Sequence, residues 1–133
     1  MNHRAHREHG ENQNDLSGKI IGCAIRVHKE LGPGLLETAY RACLAHELTL
    51  NDVKVEVEKS LPIRYRDFAL DAGYRIDLLV ENRIILELKC VEKLLPVHEA
   101  QLLTYLKLSG LHIGLLINFN VKLLAHGIRR FIL

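Results

Sequence analysis

Residues 76–89 read IDLLVENRIILELK, from Ile76 to Lys89. The runs 76–80 and 84–88 are apolar at both odd and even positions. Strands of that kind are covered on both faces, so the pair belongs at the centre of a sheet with layers above and below. Between them Glu81-Asn82-Arg83 is polar and reads as the connection of a hairpin. Set into this apolar frame are Asp77, Glu87 and Lys89, three charges that a packed core excludes unless they are paired.

Register decides whether the three charges meet. Side chains at i and i+2 of a strand share a face, so Glu87 and Lys89 point one way and Leu88 the other. If Val80 pairs with Ile84, then Leu79 lies opposite Ile85 and Asp77 opposite Glu87. The connection is then three residues long, with Asn82 or Arg83 in the left-handed region. A two-residue loop without a bulge would put Asp77 and Glu87 on opposite faces and rule out a shared site.

Working outward, the N-terminal side also has period two. Val53, Val55 and Val57 alternate with Lys54, Glu56 and Glu58, a half-exposed strand. Leu61, Ile63 and Tyr65 alternate with Arg64 and Arg66, a second strand that turns at Asp67. The hairpin strands span Tyr74–Val80 and Ile84–Lys89. Further out, Leu16, Ile20, Ala24, Val27 and Leu31 recur at helical spacing. That helix is capped at Asp15 or Ser17 and broken by Gly32-Pro33-Gly34. A second helix follows at once, with the stripe Leu36, Ala39, Tyr40, Cys43, Leu44 and Leu48 and a stop at Asn51-Asp52. After the hairpin, Pro96 opens a third helix that ends at Ser109-Gly110. His112 to Asn118 (HIGLLIN) is another buried strand, and Arg129 to Leu133 a short last one. The order ααβββ(β)αβ(β) implies an α/β sandwich, a central mixed β-sheet flanked by helices.

Composition sets the outer bounds. The 133 residues suit one folded domain, with 48% hydrophobic and 26% charged residues. No apolar run approaches the ~18–20 residues a membrane helix needs, which argues against a membrane partner. Residues 1–15 are polar, carry three of the eight histidines and lack the apolar segment of a secretory signal. They are expected to form a disordered tail, leaving 16–133 as the domain. Cys23, Cys43 and Cys90 are scattered among apolar neighbours, which points to buried free thiols in a reducing, cytoplasmic setting. A net charge of +2 permits a polyanionic partner without demanding one.

Two accounts of the hairpin charges stand side by side. Lys89 can neutralise one carboxylate in a structural ion network. Alternatively, two facing carboxylates repel and call for a cation between them, and magnesium favours a few carboxylates together with water and phosphate oxygens.

Asp77, nine intervening residues and then Glu87-Leu88-Lys89 resembles the D…ExK signature of the PD-(D/E)XK nuclease superfamily. GLLETAY, Gly34 to Tyr40, is similar to the GxxExxY motif that names a small family within it. VHKELGPG, IDLLVENRIILELK and HEAQLLTYLKLSGLHIGLLINF resemble that family's blocks in the same order, from about Leu16 to the C-terminus. The resemblance implies a restriction-endonuclease-like fold with core order αβββαβ. It implies that Asp77 and Glu87 bind metal, joined by the Leu88 backbone carbonyl and by Glu37 on the preceding helix. Lys89 would orient or help deprotonate the attacking water.

Gln101 and Tyr105 match the QxxxY motif of recombination-type exonucleases in the same superfamily. They lie one turn apart, with His98 on the same face as a candidate substrate contact. Gln101 is polar where its helical stripe expects an apolar residue, whereas the other residues also have a plainer reading. Glu37 suits the third position of a helix capped by Gly34, or an ion pair with Arg41. Tyr105 suits a core position with its hydroxyl bonded, and Tyr40 a packing role behind the site.

The activity implied is Mg²⁺-dependent hydrolysis of phosphodiester bonds in nucleic acid, DNA favoured, with Mn²⁺ as a substitute ion. Three dispersed cysteines predict no iron–sulfur cluster. A small core with 5% aromatic residues offers little stacking surface, so a homodimer or a protein partner is expected to supply specificity. The competing readings are a non-catalytic nucleic-acid-binding or accessory module that keeps the fold, and a small phosphoester hydrolase.

Overall fold

In the computed structural model the hairpin takes the required register: Val80 faces Ile84, Leu79 faces Ile85 and Leu78 faces Leu86. The connection is Glu81-Asn82-Arg83, closed by the Arg83 N–H on the Val80 carbonyl at 2.9 Å. The left-handed residues are Glu81 (φ 51°) and Asn82 (φ 57°), not Arg83. Of the two expected candidates Asn82 takes that conformation, and Glu81 joins it because two consecutive left-handed residues match the right-handed twist of the strands.

The structure describes residues 15–133, together with the backbone course of the first helix. The elements in chain order are α1 (Asn2–Leu31), α2 (Glu37–Leu50), β1 (Val55–Ser60), β2 (Ile63–Tyr65), β3 (Phe68–Leu70), β4 (Arg75–Val80), β5 (Ile84–Lys89), α3 (Pro96–Ser109), β6 (Ile113–Asn118) and β7 (Ile128–Ile132). The side chains of residues 1–14, on which most of the expected disordered tail falls, lie outside the described residues. Asp15 and Ser17 do not cap α1 but sit inside it. A cap needs the chain to leave helical geometry at that residue, and here the helix runs through both.

Five strands form one mixed sheet in the order β1-β4-β5-β6-β7. Only β5 and β6 run parallel, because α3 carries the chain across between them. The hairpin strands therefore lie inside the sheet, as their two-faced apolarity requires. β2 and β3 form a separate ribbon turned at Arg66 (φ 55°) and Asp67. β3 went unforeseen because Phe68, Ala69 and Leu70 are all exposed and leave no in–out pattern to read.

α1 and α2 cover one face of the sheet. Ile20, Cys23, Ala24, Leu44 and Leu48 pack there on Leu78, Val80, Ile84, Leu86 and Leu88. α3 covers the other face, where Leu102, Tyr105 and Leu106 meet Leu79, Ile85 and Leu116. Gly114 of β6 sets how closely α3 seats, since a Cβ there would come within 2.7 Å of the Leu102 side chain. Three positions of the expected stripes fall outside the core. Leu31, Leu36 and Cys43 are exposed: Leu31 is the last residue of α1, Leu36 the N-cap of α2, and Cys43 sits on the outward side of α2. Of the three thiols, only Cys23 is fully buried.

Candidate functional site

The backbone ladder between β4 and β5 stops at Leu78–Leu86, one residue short of Asp77 and Glu87. Beyond that point side chains take the place of rungs. The Asp77 N–H donates to Glu87 Oε2 at 2.9 Å, and the Leu88 N–H donates to Asp77 Oδ2 at 2.8 Å. The two carboxylates thus fill the gap between the parted strands. The N–H and carbonyl of one strand residue share an edge, so the Leu88 carbonyl also faces this gap.

Burial makes the ionised pair costly. Glu87 is only 3% exposed. Burial above all, and then the neighbouring charge of Asp77, pushes its pKa up to about 8, against the hydrogen bond from the Asp77 N–H. Burial also raises Asp77, opposed by the Leu88 N–H and by the charges of Arg41 and Lys89. Glu37 is raised as well, by burial and then by Asp77, so it lies within electrostatic reach of the pair.

Lys89 is aimed rather than loose. Its Nζ donates to Gln101 Oε1 at 3.1 Å, and Gln101 Nε2 donates to the Tyr105 hydroxyl at 3.1 Å. Tyr105 is 5% exposed and meets Tyr74 edge-on with ring centroids 6.3 Å apart. Both the polar and the packing reading of Tyr105 therefore apply. An open cleft of about 260 Å³ lined by Ile63, Tyr74, Val97, Gln101 and Tyr105 adjoins this chain of bonds.

Glu37 is the first residue of α2, and Leu36 rather than Gly34 is the N-cap. Its expected ion-pair partner is engaged elsewhere: Arg41 lies 3.1 Å from Glu58 Oε1 and 3.5 Å from Asp77 Oδ1. Tyr40 does not reach the carboxylates. Its hydroxyl donates to the Gly32 carbonyl and accepts the Leu35 N–H at 3.2 Å, while its ring stacks on Phe119. It fixes the loop that sets where α2, and hence Glu37, begins. His98 caps α3, its Nδ1 accepting the Leu95 N–H at 2.9 Å.

Two residues escaped the sequence reading. Arg41 looked like a helix-surface charge, and Glu58 like the outward half of an alternation. Glu58 falls opposite Asp77 in the β1–β4 register, between the pairs Val57–Leu78 and Lys59–Ile76. Its φ of 53° is left-handed, a conformation that costs a glutamate ~1–3 kcal/mol. Only strand pairing brings it there.

Among the described residues, no three His, Cys, Asp or Glu side chains converge as a ready-made metal cluster. The donor set nevertheless fits a hard divalent ion. Asp77 and Glu87 are two adjoining carboxylates whose mutual repulsion a cation would reverse, and the Leu88 carbonyl is a third oxygen on the same gap. Glu37 stands outside this pair, suited to act through water. Among the described residues no helix is long and apolar enough to cross a membrane.

Comparison with known proteins gives one match. The sequence model of a family described as the PD-(D/E)XK nuclease superfamily aligns with residues 14–131. No curated protein and no solved structure matches the chain significantly.

Proposed function

We propose that this chain, which belongs to the PD-(D/E)XK nuclease superfamily, hydrolyses phosphodiester bonds of nucleic acid, with DNA as the favoured substrate. The observation that carries this reading is the parted end of the hairpin. Asp77 and Glu87 hold two strands together with buried carboxylates, and Lys89 is held beside them by Gln101. Arg41 offsets part of that charge, yet two adjoining buried carboxylates remain a costly way to join two strands.

Asp77, Glu87 and the Leu88 carbonyl would hold a divalent ion, Mg²⁺ or Mn²⁺, with Glu37 outside them. When bound, that ion supplies Lewis-acid charge to the phosphate and acidifies water. The Lys89 ammonium, fixed through Gln101 and Tyr105, steadies the attacking water or offsets charge on the phosphate oxygens. The adjoining cleft has room for the sugar or base next to the scissile bond. A homodimer or a protein partner would extend the binding surface, and the free thiols suit a cytoplasmic setting.

The test is a panel of linear, circular, single- and double-stranded DNA and RNA incubated with the pure protein and Mg²⁺ or Mn²⁺. The expected result is metal-dependent cleavage that disappears in both Asp77→Ala and Lys89→Ala. Binding without cleavage would instead support an accessory module. Cleavage by the variants at the wild-type rate would overturn the assignment.

A further inference from the structure

Arg41 already pairs with Asp77, one of the two carboxylates read as metal ligands. Its guanidinium lies 3.5 Å from Asp77 Oδ1, the carboxylate oxygen not used by the Leu88 N–H. Both side chains are largely buried, Arg41 at 16% and Asp77 at 14% exposure, so the contact is poorly screened by water. The same guanidinium is gripped from the other side by Glu58 at 3.1 Å. Glu58 reaches it from a left-handed backbone position at the one break in the β1–β4 ladder, directly opposite Asp77. Ordinary strand geometry would have continued the ladder there. Strain kept at such a point marks a position held for something other than stability.

Five ionisable groups surround the gap: the acids Glu37, Asp77 and Glu87 and the bases Arg41 and Lys89. Fully ionised, these five leave one net negative charge, and Glu58 on Arg41 adds a second. Lys89 is committed to Gln101 on the α3 side, so Arg41 is the cation that neutralises Asp77 directly. A divalent ion on Asp77 would be repelled by a guanidinium at that distance. The guanidinium has a second carboxylate to fall back on.

We propose that Arg41 is an exchangeable counter-ion. It holds Asp77 while the metal is absent, yields Asp77 Oδ1 to the arriving divalent ion, and is kept beside the site by Glu58. This rests on the metal-binding reading of Asp77 and Glu87. It adds that metal affinity is set by competition with a residue of the chain itself, and that Glu58 governs that competition only through Arg41.

Titration of the full chain with Mn²⁺ alone, followed by electron paramagnetic resonance of the free ion, tests this without reference to cleavage. Arg41→Ala should bind Mn²⁺ about tenfold more tightly than wild type, because a like charge is removed from the ion's neighbourhood. Arg41→Lys keeps the charge, so its affinity should lie closer to that of wild type than to that of Arg41→Ala. Glu58→Gln, an exposed substitution that leaves the core intact, should weaken Mn²⁺ binding several-fold in the wild-type background. It should have no effect when Arg41 is already alanine. Melting curves without metal check that each variant is folded.

Arg41→Ala affinity equal to or weaker than wild type would overturn the proposal, whatever the metal site does. So would an effect of Glu58→Gln that persists in the double variant, since Glu58 would then act on the ion itself. A folded wild-type chain that binds no Mn²⁺ would overturn both this proposal and the metal-site reading beneath it.

Discussion

The two ends of the β4–β5 hairpin are built from the same strands and held together by different means. At the turn end, Leu78, Leu79 and Val80 pair with Ile84, Ile85 and Leu86 through the backbone, and all six side chains are at most 4% exposed. One residue further, Asp77 and Glu87 replace the rungs with their side chains. Rungs between apolar neighbours come with hydrophobic stabilisation, whereas rungs made of buried carboxylates come with a desolvation cost. The closed end therefore holds the open end in place, and the open end is where the chemistry can be.

The sharpest way to break this contrast is to remove the charges. Asp77→Ala and Lys89→Ala should each lower the rate of metal-dependent cleavage by on the order of 10³-fold, the scale of losing a principal electrostatic group at a reaction centre. Calorimetry should show both variants still folded, Lys89→Ala near the wild-type melting temperature and Asp77→Ala below it, because the Leu88 N–H and Arg41 lose a buried partner. A collapse of folding in both would mean that the open end is structural after all.

The complementary cut is at the closed end. Leu86 is fully buried on the α1–α2 face. Leu86→Ala should lower the stability measured by urea unfolding by about 2–5 kcal/mol. A loss under ~1 kcal/mol would show that the paired end does not carry the hairpin.

Acidity distinguishes the ends without mutation. Glu87 keeps its proton in the folded metal-free chain up to about pH 8, whereas its ordinary value is 4.5. The folded state then binds more protons than the unfolded state between those values, so this group's contribution to stability falls as pH rises through that window. The fall should be on the order of 5 kcal/mol across the window, read from unfolding in the presence of a chelator. Glu87→Gln should flatten the profile, and added Mg²⁺ should restore stability most at its alkaline end. A wild-type profile as flat as that of Glu87→Gln would refute the buried-acid account.

The smallest effect tests the support of the open end from α3. Tyr105→Phe removes the hydroxyl that accepts the Gln101 amide and leaves the ring on Tyr74. Stability should drop by about 1 kcal/mol. Cleavage should slow in kcat with little change in KM, since Lys89 loses its aim and not its charge. An unchanged kcat would confine Tyr105 to packing.

The contrast was readable in outline from IDLLVENRIILELK, because its apolar runs and its charges obey different rules. Both hairpin strands and α3 came out close to where periodicity put them, since each is long enough to show its period. β3 was invisible because three exposed residues show none. The start of α1 was misplaced because Asp15 and Ser17 look like caps to any local reading, and nothing local says that the helix continues. Gln101 stood out as a polar residue on an apolar stripe, and its bond to Lys89 supplies the reason. Arg41 and Glu58 gave no such signal, since charges on a helix and on an edge strand are ordinary.

What the sequence determined by itself was the central position of the hairpin and the identity of its three charges; it made their meeting conditional on an odd connection, which the fold supplied. Alternation is a property of neighbouring residues, so a linear reading contains it. What only the tertiary structure decided was the parting of the strands at Asp77 and the company that the carboxylates keep there. The end of the ladder depends on side chains filling a gap between strands. The pairing of Arg41 with Asp77 and Glu58 depends on a helix and an edge strand packed beside them. Burial and cross-strand register are made by residues far apart in the chain, so the acidity of Glu87 had to wait for the fold.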